Sequence, residues 1–146
     1  MTTRQTIFLY TDGAASGNPG PGGYGVVLKC GDLRKELSGG FALTTNNRME
    51  MLAVIKGLES IRWPEAKVEV FSDSSYVVNT MTQGWKRKKN HDLWDRLDSL
   101  CARFEVTFHW LKGHAGHPEN ERCDAMAVAA YSQKDLPADE GYAGIL

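Results

Sequence analysis

Short apolar runs, followed by longer segments with helical spacing of apolar residues, predict a mixed α/β fold. Three runs rich in β-forming residues come first, at positions 6–11, 24–30 and 33–38. Gly31-Asp32, between the second and third runs, indicates a tight hairpin. Helical and extended segments alternate after them. The expected fold is a five-stranded mixed sheet, with its first three strands antiparallel and the rest parallel, flanked by helices.

The second part of the chain supplies the helices of this prediction and two more strands. The first helix follows a cap at Thr45 or Asn46 and ends at Pro64. The glycine-rich stretch 17–23 is expected to form a loop. The remaining predicted elements are a strand at 68–72, a helix from the Ser74 cap to Gly84, a helix opened by Asp92, a strand at 106–111 and a helix from Pro118 to Tyr131.

The composition indicates one folded domain. The 146 residues include 42% hydrophobic residues, 17 basic residues and 18 acidic residues. This balance argues against a disordered chain. Because the total is not basic, nucleic-acid binding would depend on where the charges lie.

Targeting signals are not evident in the sequence. No apolar run approaches the ~18 residues of a membrane span, and the N-terminus is too short and too polar for a signal peptide. Cys30, Cys101 and Cys123 lie far apart, which indicates free thiols in a reducing cytoplasm. We therefore expect a cytoplasmic monomer with no membrane and no obligate protein partner.

Two acids stand at the carboxyl ends of predicted strands. Asp12 and Asp73 occupy the edge where ligands bind in open α/β sheets. Small residues follow each of them, which leaves room for a ligand. A role as a turn residue or a helix cap is the alternative for Asp73.

Two further acids lie on the apolar faces of predicted helices. The neighbours on these faces are Ala53, Val54, Gly57 and Ile61 for Glu50, and Ala127, Val128 and Tyr131 for Asp124. A buried carboxylate without a partner is costly, so each acid needs one. The alternative for Glu50 is an ion pair with Arg48 or another neighbour at the rim of the fold.

Divalent cations would relieve the repulsion among these four acids if they converge. Two unit charges ~4 Å apart repel by about 4 kcal/mol at an effective dielectric constant of 20. Carboxylate oxygens favour a hard ion, Mg²⁺ or Mn²⁺, over zinc. Two such ions roughly 4 Å apart can activate a water and stabilise the leaving oxygen at a phosphodiester.

The motifs around these acids form an ordered series. They are Tyr10–Gly13, Gly17–Gly25, Thr44–Glu50, Ser72–Ser74 with Tyr76-Val77, Asp92–Trp94 and Lys112–Asp124. In this order and spacing they resemble the bacterial type of ribonuclease HI, from about residue 6 to residue 131. The resemblance implies a ribonuclease H-like catalytic domain over residues 1–131, followed by a C-terminal tail, 132–146.

The resemblance also implies an activity. Family members are endonucleases that cut the RNA strand of an RNA–DNA hybrid and leave 5′-phosphate and 3′-hydroxyl ends. They hold Mg²⁺ with four carboxylates, two ions being bound during catalysis, and Mn²⁺ can substitute. The matching positions are Asp12, Glu50, Asp73 and Asp124, the same acids that their placement singled out.

A loop histidine of the family matches His114. The resemblance assigns it proton transfer or product release, which suits a histidine in a mobile glycine-flanked loop. The alternatives are a histidine without a role and a zinc site of His114, His117 and Cys123. Zinc is disfavoured because a closed structural site needs four ligands.

Several polar residues are candidate contacts to the hybrid. Hybrids are recognised through 2′-hydroxyls, backbone shape and phosphates rather than through sequence. The amide of Gly13 can approach a sugar, and Asn18 and Asn46 can bond a 2′-hydroxyl or a base edge. Thr45 matches a residue that holds a phosphate of the DNA strand in the family. Turn and cap chemistry is the alternative for all four.

A basic segment at residues 85–89 is a second candidate contact region. Trp85 can stack on sugars while Lys86, Lys88 and Lys89 meet phosphates. A solvated run of charge is the alternative. Many bacterial relatives carry a longer basic protrusion with an additional helix here, and members without it often bind substrate more weakly.

Two other features depart from the family pattern or extend beyond it. Ser75 stands where many relatives have glutamine at a minor-groove contact, so a direct hydrogen bond is lost there or replaced by water. The C-terminal tail is disordered by default. Its apolar end invites the hypothesis that it docks on the body or on a partner.

A Mg²⁺-dependent ribonuclease specific for hybrids is the leading interpretation. A catalytically weak hybrid-binding module is the alternative, although a pure binder gains nothing from four acids beside phosphates. Strand-transfer enzymes with similar metal chemistry usually need further domains. A glycoside hydrolase with two carboxylates would work with Mg²⁺ chelated.

Overall fold

The structure is a computed structural model that describes residues 5–113 and 116–143. Its strands are β1 (Thr6–Ala15), β2 (Gly20–Cys30), β3 (Leu33–Thr44), β4 (Lys67–Ser72) and β5 (Glu105–Trp110). Its helices are α1 (Asn46–Glu59), α2 (Ser75–Gln83), α3 (His91–Arg103), α4 (Pro118–Tyr131) and α5 (Glu140–Ala143). None of the helices in this part of the chain is long and apolar enough to cross a membrane.

The strands form one sheet in the order β3-β2-β1-β4-β5. β2 is antiparallel to both β1 and β3, whereas β4 is parallel to both β1 and β5. This arrangement confirms the predicted mixed sheet. Its last parallel pairs join Thr11 to Ser72 and Ser72 to Trp110, so Asp12 and Asp73 follow directly at one edge.

The main core lies between one face of the sheet and helices α1 and α3. Leu9, Val68 and Val70 point inward at alternate positions of the central strands and are inaccessible to solvent. Gly57 lets α1 approach them, since a Cβ atom at this position would lie 2.4 Å from Leu9 Cδ1. The helix that carries Glu50 is therefore seated directly on β1.

Helix α4 covers β1 and β2 on the opposite face and explains two glycines of β2, Gly23 and Gly25. Gly20–Gly23 belong to this strand, so only residues 16–19 form the connection, and the prediction of a loop extending through the whole glycine-rich stretch is wrong. The helix backbone rests directly on the strand, because a Cβ atom on Gly25 would lie 2.2 Å from the Cys123 carbonyl oxygen. Gly23 and Gly25 thus serve helix–strand packing, a requirement that local turn propensity does not reveal.

Predicted caps begin two of the helices. The Thr45 hydroxyl accepts a backbone hydrogen bond of 3.2 Å within the first turn of α1, and the Ser74 hydroxyl accepts one of 3.2 Å in α2. Gly84 ends α2 in the left-handed conformation, as predicted. Helix α3 begins at His91, one residue before the expected Asp92.

The segment after α4 packs against the body of the fold. The Pro137 carbonyl accepts a backbone hydrogen bond from β3. Asp139 is buried and accepts hydrogen bonds from Thr44 Oγ1 at 2.7 Å and from Arg48 Nε at 2.8 Å. The apolar end that prompts the docking hypothesis includes residues 144–146, which lie outside the described residues.

Arg48 is a buried cation that joins three parts of the chain. Its side chain is 1% exposed and donates two hydrogen bonds to Asp92, at 2.7 and 2.9 Å, and two to Asp139, at 2.8 and 3.1 Å. The hydrogen bonds from Arg48 lower the pKa of Asp92. Helix α1, the start of α3 and the C-terminal segment are thereby held together.

Replacing Asp139 with alanine is expected to lower the free energy of unfolding by about 3 kcal/mol, because Arg48 stays buried with half of its carboxylate partners. Asp98→Ala is the matched control, since it breaks the exposed ion pair with Arg87 and should cost less than about 1 kcal/mol. Urea unfolding of both variants measures the difference. Equal losses would contradict the importance of the buried cluster.

Candidate metal centre

Three of the four acids singled out in the sequence converge just beyond the last parallel pair of β1 and β4. Asp12, Glu50 and Asp73 each contribute one carboxylate oxygen to a group whose members lie within 4.8 Å of one another. Asp12 and Glu50 are each 6% exposed, and Asp73 is half-buried. The expected alternative partner of Glu50, Arg48, is instead bound to the carboxylates of the C-terminal segment and α3.

Gly13 holds two of these carboxylates in place. Its backbone N–H donates to Asp12 Oδ1 at 2.9 Å and to Glu50 Oε1 at 2.5 Å. A Cβ atom at this position would lie 2.2 Å from the Met49 carbonyl carbon, so only glycine fits where β1 crosses α1. The amide that sequence reasoning offered to a sugar is therefore already bonded to the acids.

Burial and mutual repulsion oppose ionisation of the cluster. Burial, followed by the charge of Asp73, raises the pKa of Asp12 to about 8. Burial also raises the pKa of Glu50 well above its usual range, with the charges of Asp12 and Asp73 adding to the effect. Without a cation, Asp12 therefore retains its proton at neutral pH.

Asp124 approaches the cluster from α4, on the other face of the sheet. It is half-buried and is not among the three acids whose oxygens form the compact group. Its charge nevertheless contributes to raising the pKa of Asp12, after burial and the charge of Asp73. The fourth acid is thus near enough to act on the site electrostatically.

The donor set fits a divalent cation. Within the described residues, Asp73 Oδ1 is buried and has no hydrogen-bond partner. A buried oxygen in this condition is costly unless something binds it. Carboxylates alone are the ligands that hard ions such as Mg²⁺ and Mn²⁺ prefer. An ion would satisfy the free oxygen and offset the repulsion at once.

The zinc alternative finds little support in the geometry. Cys123 is buried, its thiol donates a hydrogen bond to the Tyr10 carbonyl at 3.3 Å, and burial raises the pKa of the thiol to about 12. A thiol that keeps its proton is a poor zinc ligand. His117 is exposed at the start of α4, and His114 lies outside the described residues.

The predicted substrate contacts near α1 surround one open depression of about 760 Å³. Asn18, Thr45, Lys88 and Lys89 line it. Asn46 lies beside them, and its backbone N–H donates to Asn18 Oδ1 at 3.2 Å. These residues come from three separate segments, so the fold assembles a surface that the sequence only indicated piece by piece.

The basic segment divides into two kinds of residue. Trp85, Lys86, Lys88 and Lys89 are exposed. Arg87, in contrast, pairs with an acid of α3 and lies 5.0 Å from the centre of the Trp94 ring. Arg87 therefore anchors the segment while its neighbours face solvent. Ser75, the other predicted contact, is exposed at the start of α2.

Trp110 is a residue of the site that the sequence analysis missed. Its indole N–H donates to the Asp73 carbonyl at 3.2 Å. The only sequence signal for it is its place at the end of a predicted strand, shortly before Gly113. No motif assigns it a role.

The RNase H family model matches residues 4–132 of the chain. The chain belongs to the RNase H family. The ribonuclease H of Syntrophus aciditrophicus is 50% identical, with 95% of this chain and 88% of that protein covered. The ribonuclease H of Desulforamulus reducens is 53% identical, with 94% of this chain and 95% of that protein covered.

The fold agrees with solved structures of RNase H proteins. LC11-RNase H1 in complex with an RNA/DNA hybrid has a TM-score of 0.75 at 28% identity, covering 86% of this chain and 96% of that chain. The family resemblance seen in the sequence is confirmed, and so is the enzyme class, an endoribonuclease of the RNase H type.

Asp12→Asn is expected to stabilise the metal-free protein at pH 8 by about 2 to 4 kcal/mol, because the amide removes a charge from the cluster. The folded-state pKa of Asp12, about 8, exceeds the ordinary value of 3.8, so the folded protein binds the extra proton between these values. Wild-type stability therefore falls as pH rises through this window, and the advantage of the variant shrinks toward pH 4.

Urea unfolding in EDTA at pH 4.5 and pH 8 measures this difference. Asp98→Asn, which neutralises an exposed acid on α3, is the control and should change the free energy of unfolding by less than about 1 kcal/mol at either pH. If Asp12→Asn and the wild type had the same free energy of unfolding at pH 4.5 and at pH 8, the electrostatic explanation would be contradicted.

Proposed function

We propose that this RNase H hydrolyses the RNA strand of RNA–DNA hybrids with the help of two divalent cations, and leaves 5′-phosphate and 3′-hydroxyl ends. The observation that carries the proposal is the cluster of Asp12, Glu50 and Asp73 just past the last parallel pair of β1 and β4, with one buried oxygen lacking a partner among the described residues. The hybrid bound to LC11-RNase H1, a related structure, supports the choice of substrate.

The four carboxylates divide into a compact group of three and a fourth, Asp124, which lies on α4. Asp12, Glu50 and Asp73 would hold Mg²⁺ or Mn²⁺ from within the fold, and Asp124 would complete the set from α4. When bound, the two ions would lower the pKa of the attacking water and stabilise the negative charge that develops on the leaving 3′-oxygen. Gly13 contributes by orienting Asp12 and Glu50 through its N–H.

His114 is proposed to move a proton or assist product release. Its neighbours on the chain include Gly113, and a Cβ atom on this glycine would lie 3.1 Å from Asp73 Oδ2. The loop therefore begins beside a carboxylate of the cluster. An unperturbed imidazole changes charge near neutral pH, which suits either task.

The substrate is proposed to cross the depression at the start of α1. The partial positive charge of the helix N-terminus and the ammonium groups of Lys88 and Lys89 favour phosphates there. Thr45 has a hydroxyl that can donate to a phosphate while it caps the helix. Asn18 and Asn46 are placed for 2′-hydroxyls or base edges. Trp85, Lys86 and Ser75 extend the surface as further contacts.

A hybrid-binding module without catalysis is the second candidate. Short basic segments such as this one provide fewer phosphate contacts than a long protrusion. Buried acids, however, weaken phosphate binding and destabilise the fold unless cations occupy them. The enzyme therefore explains the cluster better than the binder.

Cleavage of one end-labelled oligonucleotide tests the proposal directly. It is presented as an RNA–DNA hybrid, single-stranded RNA, double-stranded RNA and double-stranded DNA, each with Mg²⁺, Mn²⁺ or EDTA. We expect cutting of the RNA strand of the hybrid alone, dependent on metal, and a loss of more than about 100-fold in Asp12→Asn. Asp32→Asn, at an exposed position in the turn between β2 and β3, should retain the wild-type rate. Phosphatase treatment of the products identifies the 5′-phosphate.

Cutting that persists in EDTA would contradict metal-dependent hydrolysis. Cutting of single-stranded RNA at the same rate would contradict hybrid specificity. Binding of the hybrid without cutting under either metal would favour the binding module.

A further inference from the structure

Trp110 ends β5 at the same sheet edge as the carboxylates. It pairs in register with Ser72, the last residue of β4. Its indole Nε1–H donates a hydrogen bond of 3.2 Å to the carbonyl of the next residue, Asp73. The residue is 54% exposed, so this hydrogen bond forms at the rim of the site rather than in the core.

The backbone around Asp73 is held by hydrogen bonds at three successive residues. The Ser72 carbonyl accepts from the Leu111 N–H at 2.8 Å, and the Ser74 N–H donates to Ser72 Oγ at 3.0 Å. The bond from Trp110 fixes the carbonyl between them. Of these three hydrogen bonds, the one from Trp110 is the only one that a side chain of β5 donates. Removing the indole N–H would leave the Asp73 carbonyl without this bond.

Asp73 depends on this restraint more than its partners do. Asp12 and Glu50 each accept a hydrogen bond from Gly13, which aims their oxygens. Asp73 Oδ1 has no partner within the described residues, and like charges in the cluster push the carboxylate away. Apart from its side-chain hydrogen bond with Glu50, which is itself an acid of the cluster, the direction of this side chain therefore depends on its backbone.

We propose that Trp110 is a positioning residue that aims the Asp73 carboxylate at the divalent cation through its indole N–H. The inference rests on the proposed function, since it assumes that Asp73 is a ligand. Groups that orient metal ligands typically change metal affinity or activity by about 10- to 100-fold when they are removed.

Trp110→Phe tests the proposal because it keeps an aromatic ring and removes the donor. A second variant carries 3-benzothienylalanine at position 110, which preserves the shape of the indole and replaces N–H with sulfur. Trp63→Phe is the matched control: Trp63 is 51% exposed and lines a hollow with Ile7, near the opposite end of β1.

The readouts are the Mg²⁺ dissociation constant by calorimetry without substrate, kcat and KM on the hybrid, and the melting temperature. For both variants at position 110 we expect the Mg²⁺ dissociation constant to rise about tenfold and kcat at fixed Mg²⁺ to fall about tenfold. KM for the hybrid should change by less than about twofold, and Trp63→Phe should match the wild type in all three.

Unchanged Mg²⁺ affinity in the benzothienylalanine variant would overturn the proposal, even if Trp110→Phe fails to fold. A rise in KM with unchanged Mg²⁺ affinity would also overturn it, because Trp110 would then be a substrate contact. Absence of Mg²⁺ binding in the wild type would refute both inferences. A wild type that binds Mg²⁺ but does not cut the hybrid would refute the proposed function alone, since the affinity comparison still decides the role of Trp110.

Discussion

Repulsion among three closely spaced carboxyl groups, two of them buried and one half-buried, is the constraint on which the active end of this fold depends. Asp12, Glu50 and Asp73 lie within 4.8 Å of one another, where burial and like charge both oppose ionisation. Elements that carry such groups would separate unless other contacts held them. The strand pairing of β1 with β4 and the fit of Gly13 against α1 provide those contacts. The rigidity of the site thus comes from the sheet and from the close crossing of α1 over β1 at Gly13.

The buried ion-pair cluster opposes the same repulsion at the other side of α1. Arg48 stands two residues before Glu50 and binds two carboxylates that come from α3 and from the C-terminal segment. Because α1 is tied there, it cannot move away from β1 to relieve the charge on Glu50. A segment that looks like a tail in sequence therefore helps to hold a carboxylate of the site, with Asp139 as its point of attachment.

Much of this arrangement was predictable from local pattern. The ends of the predicted strands located Asp12 and Asp73, and the apolar face of a predicted helix located Glu50. Each of these patterns can be recognised within a few neighbouring residues. What could not be predicted depends on distant contacts. Asp139 is 91 residues from Arg48, and Trp110 is 37 residues from Asp73. Gly23 and Gly25 of β2 reflect the close approach of α4. The motif around position 114 identified the family, but the described residues do not include this histidine.

The central claim is that Asp12 keeps its proton in the metal-free cluster and releases it when a divalent cation binds. Calorimetric titration of Mg²⁺ at pH 7, in buffers with different ionisation enthalpies, measures the protons released on binding. Because the pKa of Asp12 is about 8 and that of Glu50 is also raised, the account predicts release of about one proton or more per protein. A binding heat that is the same in every buffer would show that no proton leaves, and would contradict the account.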